Sequence, residues 1–259
     1  MSRPLPSPPK AVLLDVGGIF FAPAHDRILG AFARAGLAPE AEILDRAHYA
    51  GARAFPVDDD QLDWAKRWRA YLDAYMTECE TPDDRREEVH EHLDSEFADA
   101  ALWLRELPGS REGLRALAET GVRLGIISNA DGMIGQRLAV AEILQVGPGI
   151  GVAVECVIDS GAVGVMKPDP RIFRLALDAM AISAADAWYV GDMPGIDVVG
   201  ARAAGLHPVV MDPYQLHLDA DYSRVASLGD LATVVRAPQR EASAASTRAT
   251  SSGRLKNGE

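Results

Sequence analysis

Short apolar runs alternate with amphipathic stretches along most of this chain, and that alternation constrains the fold more than any other feature. The runs are Ala11–Asp15, Val122–Ile127, a weaker one at Cys156–Ile158, Ala187–Val190 and Pro208–Met211. Between them lie Arg111–Thr120, Met133–Leu144, Arg171–Met180 and Ile196–Ala204, each with apolar residues at helical spacing. Strand and helix in alternation predict an α/β fold, a Rossmann-like parallel sheet with helices on both faces.

One segment breaks the pattern. From 23 to 106 the periodicity is helical only, with Trp64, Trp68, Tyr71, Leu72 and Tyr75 recurring at helical spacing. This insert directly follows the first strand, so it reads as an all-helical cap domain over the open end of the sheet. The aromatic stripe reads as the cap's own core. The run Asp58-Asp59-Asp60 reads as capping acids before a helix. The expected organisation is a flexible leader at 1–10, a catalytic core at 11–22 and 107–236, the cap at 23–106, and a tail at 237–259. That tail is rich in Ala, Ser, Thr, Arg and Gly and has too little apolar surface to offset ordering entropy, which predicts disorder.

Composition narrows the function classes. With 48% hydrophobic and 25% charged residues the chain has a globular balance. Its formal charge of −12 repels nucleic acid and anionic membranes, while leaving room for a local pocket that holds a small phosphate. No apolar run approaches the roughly 18–20 residues that span a bilayer, and the start lacks the apolar stretch of a signal peptide. A cytoplasmic monomer or homodimer is expected. Cys79 and Cys156 lie far apart without CxxC spacing, so they read as two reduced thiols rather than a zinc site.

In open parallel sheets, ligands bind beyond the carboxyl ends of the strands. Residues just after each apolar run therefore converge: Asp15, then Ser128 and Asn129, then Asp192, with Asp197 opening the next helix and Lys167 in a loop after the third strand. A carboxylate can attack phosphorus and split one difficult step into two. A hydroxyl and an ammonium can hold phosphoryl oxygens. Clustered carboxylates call for a cation, and oxygen-only ligands favour magnesium. Gly17 and Gly18 let backbone approach the ligand closely.

These segments resemble the four motifs of the haloacid dehalogenase-like superfamily. Leu13-Leu14-Asp15-Val16-Gly17-Gly18-Ile19 is similar to the first and Ile126-Ile127-Ser128-Asn129 to the second. Lys167-Pro168-Asp169-Pro170-Arg171-Ile172-Phe173 matches the third, and Tyr189-Val190-Gly191-Asp192-Met193-Pro194-Gly195-Ile196-Asp197 the fourth. The insert falls where that family carries a helical cap of its first type. The resemblance implies a hydrolase with Asp15 as nucleophile and Lys167 as charge stabiliser. It assigns Ser128, Asn129 and Gly18 to the substrate. Mg2+ would be held by Asp15, the Gly17 carbonyl, Asp192 and, directly or through water, Asp197. The implied substrate is a small phosphorylated metabolite.

The chain departs from the family at one position. Most phosphatases of this family carry a second Asp two residues after the nucleophile, to protonate the leaving group and later activate water. Here that residue is Gly17. General acid–base help is worth about 10²–10⁴-fold in rate, so its loss matters. Three readings follow: a phosphatase that manages without this acid, a 2-haloacid dehalogenase-type hydrolase that needs no metal, or a binding or regulatory protein with weakened catalysis. Retention of Asp15, Lys167, Asp192 and Asp197 favours them in that order. His25 follows the first motif and is a candidate for the missing proton, although a lone linker histidine is more often not catalytic. Arg53, Lys66 and Arg67 could meet an anionic substrate tail, with solvated cap surface the plainer account. His207 reads as structural.

Overall fold

The computed structural model describes residues 7–56 and 63–236. In chain order the elements are β1 (Ala11–Leu14), β2 (Phe21–Ala22), α1 (His25–Arg34), α2 (Leu44–Ala54), α3 (Trp64–Glu78), α4 (Arg86–Phe97), β3 (Arg105–Glu106), α5 (Ser110–Ala118), β4 (Arg123–Ser128) and α6 (Ile134–Val140). There follow β5 (Leu144–Val146), β6 (Val152–Val154), β7 (Cys156–Asp159), α7 (Ser160–Val163), α8 (Pro170–Ala179), β8 (Ala187–Gly191), α9 (Pro194–Ala203), β9 (His207–Met211), β10 (Ser223–Val225) and α10 (Leu228–Arg236).

Six strands form one parallel sheet in the order β10-β9-β8-β1-β4-β7. β1 lies inside it, with Leu13 opposite Gly125 of β4 and Tyr189 of β8. All four β1 residues are buried, because both faces are covered. Val12 and Leu14 pack with Leu114 and Leu117 of α5 and Leu231 of α10. Ala11 and Leu13 face the other way, among Ile172 and Phe173 of α8 and Ala201 of α9. Two-sided burial explains why β1 and β8 read as continuous apolar runs rather than alternating ones. Chain order runs outward in both directions from β1, through β4 and β7 on one side and β8, β9 and β10 on the other. The crevice of such a sheet opens at this switch point.

Local chemistry starts the helices that flank the crevice. Asp169 caps α8 by accepting from the Arg171 N–H, and Pro170 supplies a pre-set φ at the first position. Pro194 does the same for α9. Helices α1 to α4 lie between β2 and β3, which pair antiparallel with Phe21 opposite Glu106. This two-strand clasp brings the outgoing and returning chain together. The helices bury their own core, including Ile28, Phe32, Leu44, Tyr71, Leu72 and Tyr75, and Ile196 of α9 joins it from the sheet side. No helix among the described residues is long and apolar enough to cross a membrane.

The structure departs from the sequence reading in detail. The helix expected over Met133–Leu144 stops at Val140. Glu142 takes a left-handed conformation (φ 56°), and the N–H groups of Glu142 and Ile143 donate back to the Ala139 and Leu138 carbonyls. This Schellman-type ending turns Ile143 and Leu144 into the core. β5 and β6 then form a separate two-stranded parallel sheet. β10 extends the main sheet by one short strand that hydropathy does not reveal. Residues 1–6 of the expected leader, Asp58-Asp59-Asp60 and the tail at 237–259 lie outside the described residues.

Leu13 should be the most sensitive position in this layer. Leu13→Ala is expected to cost about 2–5 kcal/mol by urea denaturation, because the neighbouring strands prevent collapse into the cavity. A loss below about 1 kcal/mol would show that β1 is not the packing centre.

Candidate active site

The groups that converge in sequence also converge in space. Asp15 follows β1, Ser128 ends β4, Asp192 follows β8, Asp197 sits in the first turn of α9, and Lys167 lies in the loop between α7 and α8. Lys167 is buried, and its Nζ finds three partners. Asp15 Oδ2 lies at 2.7 Å, Asp197 Oδ1 at 2.8 Å and the Tyr189 hydroxyl at 2.8 Å. An ammonium has three protons, so this set satisfies it completely. Asp197 is held in turn: the Tyr189 hydroxyl donates to Oδ1 at 3.1 Å and the Met193 N–H to Oδ2 at 2.9 Å. Asp15 Oδ1 accepts from the Val16 N–H at 2.7 Å, which fixes the carboxylate at the strand end.

Asp192 approaches from β8 against Gly18. A Cβ at Gly18 would lie 2.3 Å from the Asp192 carboxyl carbon, and the residue has φ +65°, so glycine is required on both counts. Two adjacent residues of α2 reach into the same loop. Tyr49 donates its hydroxyl to the Gly18 carbonyl at 2.7 Å. His48, 1% exposed, places Nε2 3.0 Å from Asp192 Oδ2 and pairs through Nδ1 with the Tyr71 hydroxyl at 2.7 Å. The His48–Asp192 contact is close, but neither atom makes an aligned hydrogen bond.

Asn129 is tied to the lysine loop. Its Oδ1 accepts the Lys167 N–H at 2.7 Å and its Nδ2 donates to the Lys167 carbonyl at 3.0 Å. Both ends of the amide are occupied, so the side chain positions the lysine loop, and the residue also lines the cavity beside Ser128. Ser128 has no such tie and lines the cavity beside Asp15. His25 does not line that cavity; its Nε2 lies 3.0 Å from Asp45 Oδ1, so it is no replacement for an acid at position 17. Arg53, Lys66 and Arg67 are absent from the lining too. Lys66 sits beside Asp63, and Arg67 donates to the Pro56 carbonyl. His207 meets Ser223 at 2.9 Å, a structural contact.

Electrostatics set the state of the cluster. Burial pushes the Asp15 carboxyl up to about 7; Lys167 opposes this, while Asp197 and Asp192 add to it. Burial also raises Asp192, against the stabilising contact of His48. At Lys167 burial favours the neutral amine, yet Asp15 and Asp197 outweigh it and hold the ammonium above its ordinary range. Asp15, Asp192 and Asp197 each offer an oxygen within 4.8 Å of the others. Three carboxylates face one ammonium, and Asp192 Oδ2 lacks a hydrogen-bond donor. An all-oxygen set with excess negative charge and an orphaned acceptor fits a hard divalent cation.

Above the cluster is a cavity of about 380 Å³ between the sheet edge and the helical insert. Its upper wall includes Trp64, Trp68, Phe97 and Trp103. Trp64 is 41% exposed, so the stripe expected to be cap core divides: Tyr71, Leu72 and Tyr75 fill that core, and the two tryptophans face the cavity. His48, Tyr49 and Trp103 were not visible as site residues in the sequence, because no motif surrounds them. Tyr189 was read only as part of a strand and motif; the polar hydroxyl in an apolar run was the one available signal.

A parallel sheet thus carries a lysine-bridged acid cluster at its carboxyl edge beneath a helical roof. The haloacid dehalogenase-like hydrolase family matches residues 9–205, and the chain belongs to that family. It is 43% identical over 89 residues to a phosphoserine phosphatase of Thermus thermophilus, covering 34% of this chain and 36% of that protein. It is 39% identical over 127 residues to a phosphoglycolate phosphatase of Rhodospirillum rubrum, covering 48% and 47%. The chain thus spans less than half the length of these relatives. Among solved structures, a dehalogenase with an intermediate complex superposes with a TM-score of 0.52 at 18% identity over 90% of this chain and all of the other. A HAD phosphatase from Thermococcus onnurineus gives 0.50 at 19% identity over 87% and 97%. These likenesses show the shared fold.

The raised Asp15 makes cation binding depend on pH. Below about pH 7 a cation must displace a proton from Asp15. Affinity for a divalent cation should fall about tenfold per pH unit from 7 to 5 and level off above 7, as measured by calorimetry. An affinity flat from pH 5 to 8 would exclude Asp15 as a ligand.

Proposed function

We propose that this chain is a Mg2+-dependent phosphatase of a small phosphorylated metabolite, working in the cytoplasm through an aspartyl-phosphate. The observation that carries the reading is the clamp on Asp15: Lys167 at 2.7 Å on one oxygen and two further buried carboxylates within 4.8 Å. A carbon–halogen displacement has no need of a cation-holding acid cluster, so this favours phosphoryl transfer over dehalogenation.

In this reading residues 11–22 and 107–236 form the catalytic core, and 23–106 form a cap that covers the site and excludes water. Asp15 attacks phosphorus in line. The ester P–O bond breaks, and the leaving oxygen departs. Water then attacks the phosphoryl group, the bond to Asp15 breaks, and inorganic phosphate leaves. Lys167 offsets the negative charge on Asp15 and the phosphoryl oxygens. The Ser128 hydroxyl donates to a phosphoryl oxygen, and the Gly18 loop lets the phosphoryl group approach the backbone. Asn129 keeps Lys167 in register through its backbone. Mg2+, held by Asp15, the Gly17 carbonyl and Asp192 with Asp197 in support, would supply positive charge to the phosphoryl oxygens and fix their orientation.

Asp15→Asn should abolish phosphate release from p-nitrophenyl phosphate while leaving the thermal transition in place. Wild-type turnover in that variant would refute the nucleophile. Halide release from 2-chloropropionate in the presence of EDTA, without phosphate release under Mg2+, would decide for dehalogenation instead.

Gly17 gives a test in the opposite direction. A Cβ built there meets only the Trp103 ring, at 3.9 Å, an ordinary contact distance. Gly17→Asp should raise kcat on an alkyl phosphate such as glycerol 3-phosphate by about tenfold or more, since it restores the acid the site lacks. Unchanged turnover would mean that another group already delivers the proton.

A further inference from the structure

We infer that the substrate is an aryl phosphate monoester: its leaving group is an aromatic ring held by the tryptophan wall, and its oxygen departs without protonation by the enzyme. This rests on the phosphatase reading above and specifies its substrate class.

The first observation is the chemistry of the cavity. Its floor is polar, with Asp15, Ser128, Lys167 and Asp192. Its upper wall is aromatic, with Trp64, Trp68, Phe97 and Trp103. The rings brace one another: Phe97 and Trp103 lie edge to face at 5.6 Å, and Trp68 and Trp103 at 6.5 Å. Rings locked in this way present a pre-formed surface for a flat apolar group. Trp64 is large, apolar and partly exposed at this wall, an arrangement that leaves apolar area for a ligand to cover.

The second observation concerns charge. Beyond the acid cluster, the charged side chains that line the cavity are Asp131 and Arg137. They neutralise each other in a two-pronged ion pair, with both N–O distances at 2.7 Å. Among the described residues, therefore, no uncommitted cation lines the space above the phosphoryl site. A leaving group with its own carboxylate or second phosphate would lose water there without gaining a partner. An uncharged ring gains contact.

The third observation is Gly17. With no carboxyl group at that position, the leaving oxygen departs as an anion and takes its proton from water. Such a step is fast when the anion is stabilised by resonance. A phenolic oxygen, with a pKa of about 10, leaves far more readily than an alkoxide, whose parent alcohol is comparable to water at about 15.7. The Trp103 ring lies 3.9 Å from the place where a Cβ at 17 would stand. The same glycine that withholds the acid thus opens the reacting centre onto the aromatic wall. The balance is simple: the Asp15–phosphorus bond forms as the aryl P–O bond breaks, the aryloxide is protonated by solvent, and water releases phosphate.

The test compares 1-naphthyl phosphate with phosphoglycolate and glycerol 3-phosphate under Mg2+, with acetyl phosphate as reference. Acetyl phosphate needs neither a protonated leaving group nor an aromatic wall, so its hydrolysis reports on the phosphatase chemistry alone. We expect kcat/KM for 1-naphthyl phosphate to exceed that for both small polar esters at least tenfold. Trp64→Ala, at a partly exposed position, should lower the ratio of naphthyl to acetyl turnover about tenfold, with the thermal transition as a folding check. In the inactive Asp15→Asn variant, 1-naphthyl phosphate should quench tryptophan fluorescence at lower concentration than phosphoglycolate. If acetyl phosphate is hydrolysed but a small polar ester equals or surpasses the naphthyl ester, the aryl assignment falls while the phosphatase reading stands. If acetyl phosphate is not hydrolysed, both fall.

Discussion

The ammonium of Lys167 holds the centre of this molecule together. It is 2% exposed and sits where β1, β8 and the start of α9 meet, bonded to Asp15, Asp197 and Tyr189. A charge buried that deeply is tolerable only with its partners in place, and removing one partner of a buried pair costs about 3–5 kcal/mol. The arrangement is hierarchical. Asn129 fixes the backbone at 167, Tyr189 and the Met193 N–H fix Asp197, and these together leave Lys167 one remaining direction, toward Asp15. Asp15 is thus aimed by a chain of contacts that begins well away from it.

That chain leaves the cluster short of positive charge. One ammonium cannot neutralise three carboxylates; burial raises Asp15 and Asp192, and the neighbouring acids add to it. Division of labour follows from who is already occupied. Both oxygens of Asp197 are spoken for by Lys167, Tyr189 and Met193, whereas Asp192 Oδ2 has no donor. Asp192 is therefore the freer acid for a cation. His48 approaches that oxygen from α2, so the helical insert touches the charged floor directly, not merely the cavity above it.

What the sequence revealed and concealed follows from the two kinds of order in the chain. The sheet was legible because its strands are buried on both faces and end in polar residues. Asp15, Ser128 and Asp192 could be placed from hydropathy alone, and Lys167 from its neighbours. Asn129 was found, but its clamp on the Lys167 backbone was not, since a sequence does not show which loop an amide holds. The end of α6 was misplaced because Ile143 and Leu144 keep the apolar spacing while Glu142 turns the chain. The insert was legible as helices but not as a wall. Trp64, Trp68, Tyr71 and Tyr75 share one periodicity, and only tertiary packing separates the pair that faces the cavity from the pair that fills the core. His48 and Trp103 carry no local signal at all, because their neighbours in space come from other elements.

Gly17 joins these threads. In isolation its missing carboxyl group reads as a defect, and three functional readings compete to explain it. In the structure the same position faces Trp103, and Trp103 is braced by Phe97, Trp68 and His48. Among the described residues, His25 does not line the cavity, and the Asp131 carboxylate on its wall is paired with Arg137. The cavity has an aromatic roof and a rim whose charges pair with each other, which suits a leaving group that needs no proton. The glycine and the tryptophans therefore read as parts of one arrangement, in which the chemistry omitted from the floor is matched by the kind of molecule the wall can hold.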